Sequence, residues 1–211
     1  MSKHYNLSDI KSLEKTFRAN LINSVSGYKP ANLIGTIGEN GVTNLAIFSS
    51  VVHLGADPAL LGFIQRPVGA DSHTYKNIKA NGVFTINHVH QSFVEKAHYT
   101  SARFDIEQSE FDACQLNATF LEGFAAPFVQ ESHLKIGLRF IQEIPIELNG
   151  TTLVIGQIEH LFVEEKSIES DGNIRLDMVE DVAVAGLETY YKVEKFAQFP
   201  YAKVNKLPDF K

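Results

Sequence analysis

Asn44-Leu45-Ala46-Ile47-Phe48-Ser49-Ser50 places small and hydroxyl side chains where a packed strand would carry bulky ones. Ser49 and Ser50, with the backbone N–H groups around them, could hold a flat polar ring or an anion. A β-bulge whose hydroxyls bond the local backbone is the alternative. A second set lies downstream: Arg66, then His73-Thr74-Tyr75-Lys76-Asn77 at the start of a helical pattern. A helix N-terminus offers free N–H donors and a partial positive charge, so Thr74 and its amides could seat an anion. Arg66, at the end of the preceding strand, could clamp two phosphate oxygens. Singly, these read equally well as a surface arginine and an ordinary cap. Beside the serine pair they favour a phosphorylated cofactor.

Other chemistries find less support. His88 and His90 lie two apart on a strand and so share a face, with Glu95 and His98 nearby. A zinc site needs three or four converging ligands, and this spacing fixes only two, so no metal is expected. No Gly-x-Ser-x-Gly elbow occurs, and Cys114 has no identifiable base, which disfavours a nucleophilic mechanism. The glycines form neither a dinucleotide fingerprint nor a P-loop. Two sequons, at Asn117 and Asn149, are taken as chance matches.

Composition narrows the class. Nineteen basic residues against 25 acidic ones give a net charge of −6 over 211 residues, without the basic field that nucleic-acid binding requires. One cysteine excludes an intrachain disulfide. The start, MSKHYNLSDIK, lacks the apolar run of a signal peptide, and no apolar stretch is long enough to span a membrane. A cytoplasmic protein of a single domain is expected.

The elements that must position these residues are mainly β. Ile10, Leu13, Phe17 and Leu21 recur at helical spacing, with Ser8 or Asp9 as cap. Asn32 to Ile37 reads as a strand, Asn40-Gly41 as a tight turn, and Val42 to Val52 as the return strand. Asp57-Pro58 is a second turn, and Leu60 to Ile64 is apolar on both faces, as in a strand buried on both sides. A short helix over His73–Ala80 precedes a strand over Val83–Val89. Ser92 to Glu95 has capping-box spacing and opens a helix through Tyr99. Residues 100 to 130 read as short helical pieces and loops. Two long strands, His133–Leu148 and Thr151–Glu164, flank the hairpin signal Asn149-Gly150. About seven strands with peripheral helices point to a closed or partly closed barrel. The parts divide into a helical arm (1–24), a barrel core (28–165) and a C-terminal extension (166–211).

The order of several short pieces resembles the flavin reductase-like group of FMN-binding split-barrel proteins, flavoredoxins included. These are Pro30 to Thr36, Gly41 to Ser50, Asp57 to Phe63, Thr74-Tyr75-Lys76-Asn77-Ile78, Gly82 to Asn87 and Gly186 to Tyr191. The likeness is strong over residues 28 to 90 and weaker to about 165. It implies a six-stranded split barrel, homodimeric, with FMN in a groove at the subunit interface. Asn44, Ala46, Phe48, Ser49 and Ser50 would lie along the ring and ribityl chain. Arg66, His73, Thr74 and Lys76 would hold the phosphate, and Asn87 would support the wall beside the cofactor. His73 stands where the family often has serine, lysine or arginine, and Pro67 to Asp71 looks like an insertion. The implied activity is an NAD(P)H-dependent flavin reductase in which hydride passes to flavin N5. Alternatives are a flavoredoxin-type electron carrier and a non-catalytic flavin-binding protein. An electron acceptor or monooxygenase would be the partner.

Overall fold

The computed structural model describes residues 1–69 and 72–210; part of the insertion-like stretch, residues 70 and 71, lies outside them. After β1 (Lys29–Pro30), β2 (Asn32–Ile37) enters the Gly38–Gly41 turn. There the Gly38 N–H donates to the Val42 carbonyl at 2.8 Å, and the Asn40 side chain accepts the Val42 N–H at 3.1 Å. Gly41 sits at φ +80°, a conformation that costs glycine nothing. β3 (Thr43–Phe48) returns antiparallel, with Ala46 opposite Ile34. The expected strand from Val42 to Val52 is interrupted. The chain leaves β2 over Ser49–Val51 and resumes as β4 (Val52–Ala56), which turns into β5 (Ala59–Gln65).

α3 (His73–Asn81) stops on Gly82, a left-handed cap at φ +72°. β6 (Val83–His88) then pairs with β2 on the side away from β3. The expected capping box at Ser92 does not start a helix. A 3₁₀ turn covers Gln91–Phe93, and α4 (Val94–Tyr99) follows it. Within residues 100 to 130, α5 (Glu110–Ala113) is followed by a hairpin absent from the sequence reading, β7 (Ala118–Leu121) and β8 (Phe124–Val129). Its signal was Glu122-Gly123 between two apolar runs, with Gly123 at φ +79°. β9 (Lys135–Ile146) and β10 (Thr151–Phe162) are shorter than expected. The loop between them is residues 147–150 rather than Asn149-Gly150 alone, fixed by N–H bonds from Asn149 and Gly150 to the Ile146 carbonyl.

The main sheet has seven strands, in the order β3-β2-β6-β9-β10-β5-β4. Its end strands, β3 and β4, are consecutive in the chain and separated by three residues. So short a link spans about 14 Å at full extension, and the sheet must curl until its ends approach. No ladder joins those ends among the described residues, so the sheet is curled but not a closed barrel. Ile34, Phe63, Phe84, Ile86, Leu138 and Val154 fill the inside of the curl. A second core lies on the opposite face of β2 and β3, where Leu33 and Leu45 pack with Phe93, Phe111 and Val129. Gly156 admits the packing inside the curl, since a Cβ there would lie 2.6 Å from the Phe84 ring.

The N-terminal arm is two helices, α1 (Leu7–Ser12) and α2 (Lys15–Val25), rather than one. Asn6 caps the first, reciprocally with Asp9, and Leu13 turns extended so that Glu14 can cap the second. Neither helix buries a residue; Phe17, Ile22 and Val25 are exposed. At the other end β11 (Val182–Ala185) pairs with β1 and with β12 (Thr189–Lys192). No helix among the described residues is long and apolar enough to cross a membrane.

Candidate functional site

Alternation along β3 separates two sets of side chains. Leu45 and Ile47 enter the core beneath α4 and α5. Asn44, Ala46 and Phe48 face the other way, towards α3 and the inside of the curl. There the Asn44 amide donates to the Thr74 hydroxyl at 2.9 Å, and both residues are buried. Asn77, one turn further along α3, donates to the Thr36 hydroxyl at 3.1 Å. These two contacts pin the first half of α3 across β2 and β3. Ser72, at the N-cap, makes no side-chain cap bond to the helix; its hydroxyl accepts the Gly69 N–H at 3.0 Å. Phe48 packs edge-on against Phe63, ring centroids 4.9 Å apart.

Ser50 bonds to backbone, though not locally. Its hydroxyl donates to the Ile64 carbonyl at 3.2 Å and accepts the Ile64 N–H at 3.1 Å, doing for β5 what a strand backbone would. Arg66 follows two residues after Ile64, about 7 Å along the chain. The serine bend and Arg66 are therefore neighbours across β5, although the sequence separates them. Arg66 is exposed and forms no ion pair among the described residues, His73 is half-buried, and Lys76 is exposed. Gln65, between Ile64 and Arg66, donates to the Arg66 carbonyl at 3.1 Å. Its side-chain oxygen is buried with no partner among the described residues, an acceptor suited to a ligand's donor.

Asn87 is the residue expected to support the wall beside the cofactor. It is 0% exposed, donates to the Leu33 carbonyl at 3.1 Å and the Thr85 hydroxyl at 2.8 Å, and accepts the Val129 N–H at 2.9 Å. Its bonds tie β6 to β2 and β8, which makes it a fastener of the wall.

Two of the histidines weighed as ligands, His88 and His90, meet carboxylates, and His98 meets the Tyr190 hydroxyl at 3.0 Å. His88 Nδ1 lies 2.7 Å from Asp181, and His90 Nε2 lies 3.1 Å from Glu180. No group of three or more His, Cys, Asp or Glu among the described residues could hold a metal ion. Residues 180 and 181 are some ninety positions away in sequence, so no local spacing could reveal these pairings.

Sequence reasoning missed two polar residues near β3. Asn32 is fully buried between Phe48 and His88 in the cross-strand register, and neither of its side-chain polar atoms has a partner among the described residues. Glu110 is 5% exposed, and its carboxylate accepts the Leu45 N–H at 2.9 Å. Burial pushes its carboxyl pKa up, opposed by hydrogen bonds from the Leu45 and Glu110 backbone. The signal for Glu110 was an acid placed directly before the core residue Phe111.

A curled, unclosed antiparallel sheet with a helix pinned across its inner face defines a split-barrel architecture, with polar residues gathered around β3 and α3. A flavin reductase like domain matches residues 28–176, and the chain belongs to that family. It is similar, at 47% identity and a TM-score of 0.92, to a candidate flavin reductase with a split barrel domain from Shewanella frigidimarina, over 95% of this chain and 100% of that one. Fold likeness extends to nitrilotriacetate monooxygenase component B from Bacillus cereus, at 20% identity and a TM-score of 0.82, over 94% and 99% of the two chains. It extends also to the flavoredoxin of Desulfovibrio vulgaris, at 24% identity and a TM-score of 0.72, over 83% and 92%.

Proposed function

We propose that this oxidoreductase of the flavin reductase-like family binds FMN along β3 and the start of α3 and uses NAD(P)H to reduce it. The observation that carries the reading is the convergence of two polar sets. Asn44 reaches Thr74 directly, and Ser50 reaches the β5 segment that ends in Arg66. The donors suit an anionic phosphate: Arg66, and the N–H groups at the start of a helix whose cap side chain is engaged elsewhere. Ala46, between Asn44 and Phe48 on one face, leaves room for a flat ring. FMN supplies the redox chemistry, accepting hydride and passing electrons on. The chain's own residues bind and orient it. Asn44 and Thr74 fix the start of α3 against β3, His73 and Lys76 border the helix tip, and Ser49 and Ser50 shape the bend.

A homodimer belongs to this reading. Phe63 and Val154 point into the curl, so Ile64 and Leu153 point outwards. Over Gly62, which has no side chain, Leu54 and Leu153 come together; a Cβ there would meet them at 3.0 and 2.9 Å. Leu153 stands opposite Ile144 as well. Val52, Leu54 and Ile144 are exposed, giving one apolar face on β4, β5, β10 and β9. The expected burial of the Leu60–Ile64 strand on both sides is unmet within one chain, since Leu60, Leu61 and Ile64 are only half-buried. A second copy on this face would complete it. The buried, unpaired Cys114 suits a reducing, cytoplasmic setting. The electrons would pass to a separate acceptor, a monooxygenase among the candidates.

The test is anaerobic mixing of the purified protein with FMN and either NADH or NADPH, following loss of the flavin band. Bleaching faster than free FMN with one nucleotide is the expected result. FMN binding without accelerated bleaching would leave a flavoredoxin-type electron carrier. A colourless protein that takes up no FMN on titration would remove the flavin reading altogether.

A further inference from the structure

β3 ends the sheet, so one side of its backbone has no neighbouring strand. An end strand with free N–H groups is loosely held and open to mispairing. Here the edge is covered by the start of α5. The Glu110 carboxylate accepts the Leu45 N–H at 2.9 Å, and the Ser109 and Thr43 hydroxyls lie 2.6 Å apart. Beside them Phe111 packs with Leu45 in the same core. Three consecutive residues thus grip β3 by backbone, by hydroxyl and by apolar contact. Leu45 lies between Asn44 and Ala46, whose side chains point away from α5, so Glu110 holds the strand without facing what those side chains hold.

A carboxylate is a costly choice for this place. It is buried, and its titratable neighbour is Cys114, whose thiol is itself pushed up by burial and by Glu110. A neutral residue would close the core more cheaply, because an acid with no cation partner among the described residues has only backbone N–H groups to offset its desolvation. What the carboxylate adds is a strong, directed acceptor for one N–H.

We infer that Glu110 is a positioning residue for the flavin site: through the Leu45 N–H it fixes β3 so that Asn44 meets Thr74. This rests on the flavin reading above. The test compares Glu110→Gln, which keeps an acceptor oxygen, with Glu110→Met, which fills the same space without one. FMN affinity is measured by fluorescence titration, and exchange of the Leu45 amide is measured by NMR on flavin-free protein. Glu110→Gln is expected to bind within about twofold of the parent, and Glu110→Met about tenfold more weakly, with Leu45 exchange faster in the Met variant alone. A folded Glu110→Met protein with parental FMN affinity, or with parental Leu45 exchange, would overturn the assignment. If Glu110→Met does not fold, Ser109→Ala carries the test, expected to bind FMN about threefold more weakly; unchanged affinity then overturns it. A parent protein that binds no FMN sinks both readings, whereas a parent that binds with an indifferent Met variant sinks only this one.

Discussion

The Thr74 hydroxyl already accepts a bond from Asn44, and its own proton remains to donate. Thr74→Val keeps the shape of the side chain but removes both functions. It strands the Asn44 amide in a buried place and withdraws a donor from the proposed phosphate seat. FMN binding is expected to weaken by about 1–3 kcal/mol, read by fluorescence titration; an unchanged dissociation constant would mean that the seat lies elsewhere. Asn87 makes a contrasting case. Its side chain joins three strands, so its loss should act on stability. Asn87→Leu leaves the Val129 N–H unpaired inside the wall and takes a second donor from the Leu33 carbonyl. A loss of about 1–3 kcal/mol in urea unfolding is expected, from a buried N–H without a partner. If the midpoint does not move, those bonds are not what holds the wall.

At the scale of elements, β3 is held from three directions. β2 provides the ladder, α3 the Asn44–Thr74 contact, and α5 the Glu110 and Ser109 contacts. The last of these carries a pH dependence whose sign follows from burial. The Glu110 carboxyl has a folded pKa raised above its ordinary 4.5, so the native state holds that proton more tightly than the unfolded chain does. Its contribution to stability is complete below the ordinary value and is lost as pH rises through the folded one. Unfolding midpoints taken across this window should fall with pH in the parent and lose that slope in Glu110→Gln. Equal slopes in the two proteins would show that another group titrates there.

For the whole molecule, the proposed dimer rests on the apolar face over Gly62. Leu54, Leu153 and Ile144 make a continuous patch on the outside of the sheet, of the kind that soluble monomers rarely expose. Light scattering is expected to give twice the mass of one chain, and Leu54→Glu to give a monomer with weakened FMN binding, because the groove would lose its second wall. A parent protein of single-chain mass that still binds FMN would refute the dimer.

The sequence by itself determined the order of strands from Asn32 to Asn87, the turns at Gly41 and Gly82, and the candidacy of Asn44 to Ser50 and of Thr74. Each of these is written locally, in alternation, in a cap, or in a glycine that tolerates positive φ. Only the tertiary structure decided that Val42 to Val52 breaks into two strands. A β run has no local mark for the point at which a sheet curls away from its partner. The same holds for the side-chain bonds that join distant parts: Glu110 to Leu45 and His88 to Asp181 span 65 and 93 residues, beyond any periodicity or cap. Asn87 reads along the chain as a support of the wall, but which groups it fastens was decided in space, because an amide's partners are the carbonyls and N–H groups that surround it. Propensity acts over a few residues, and burial acts over the whole fold.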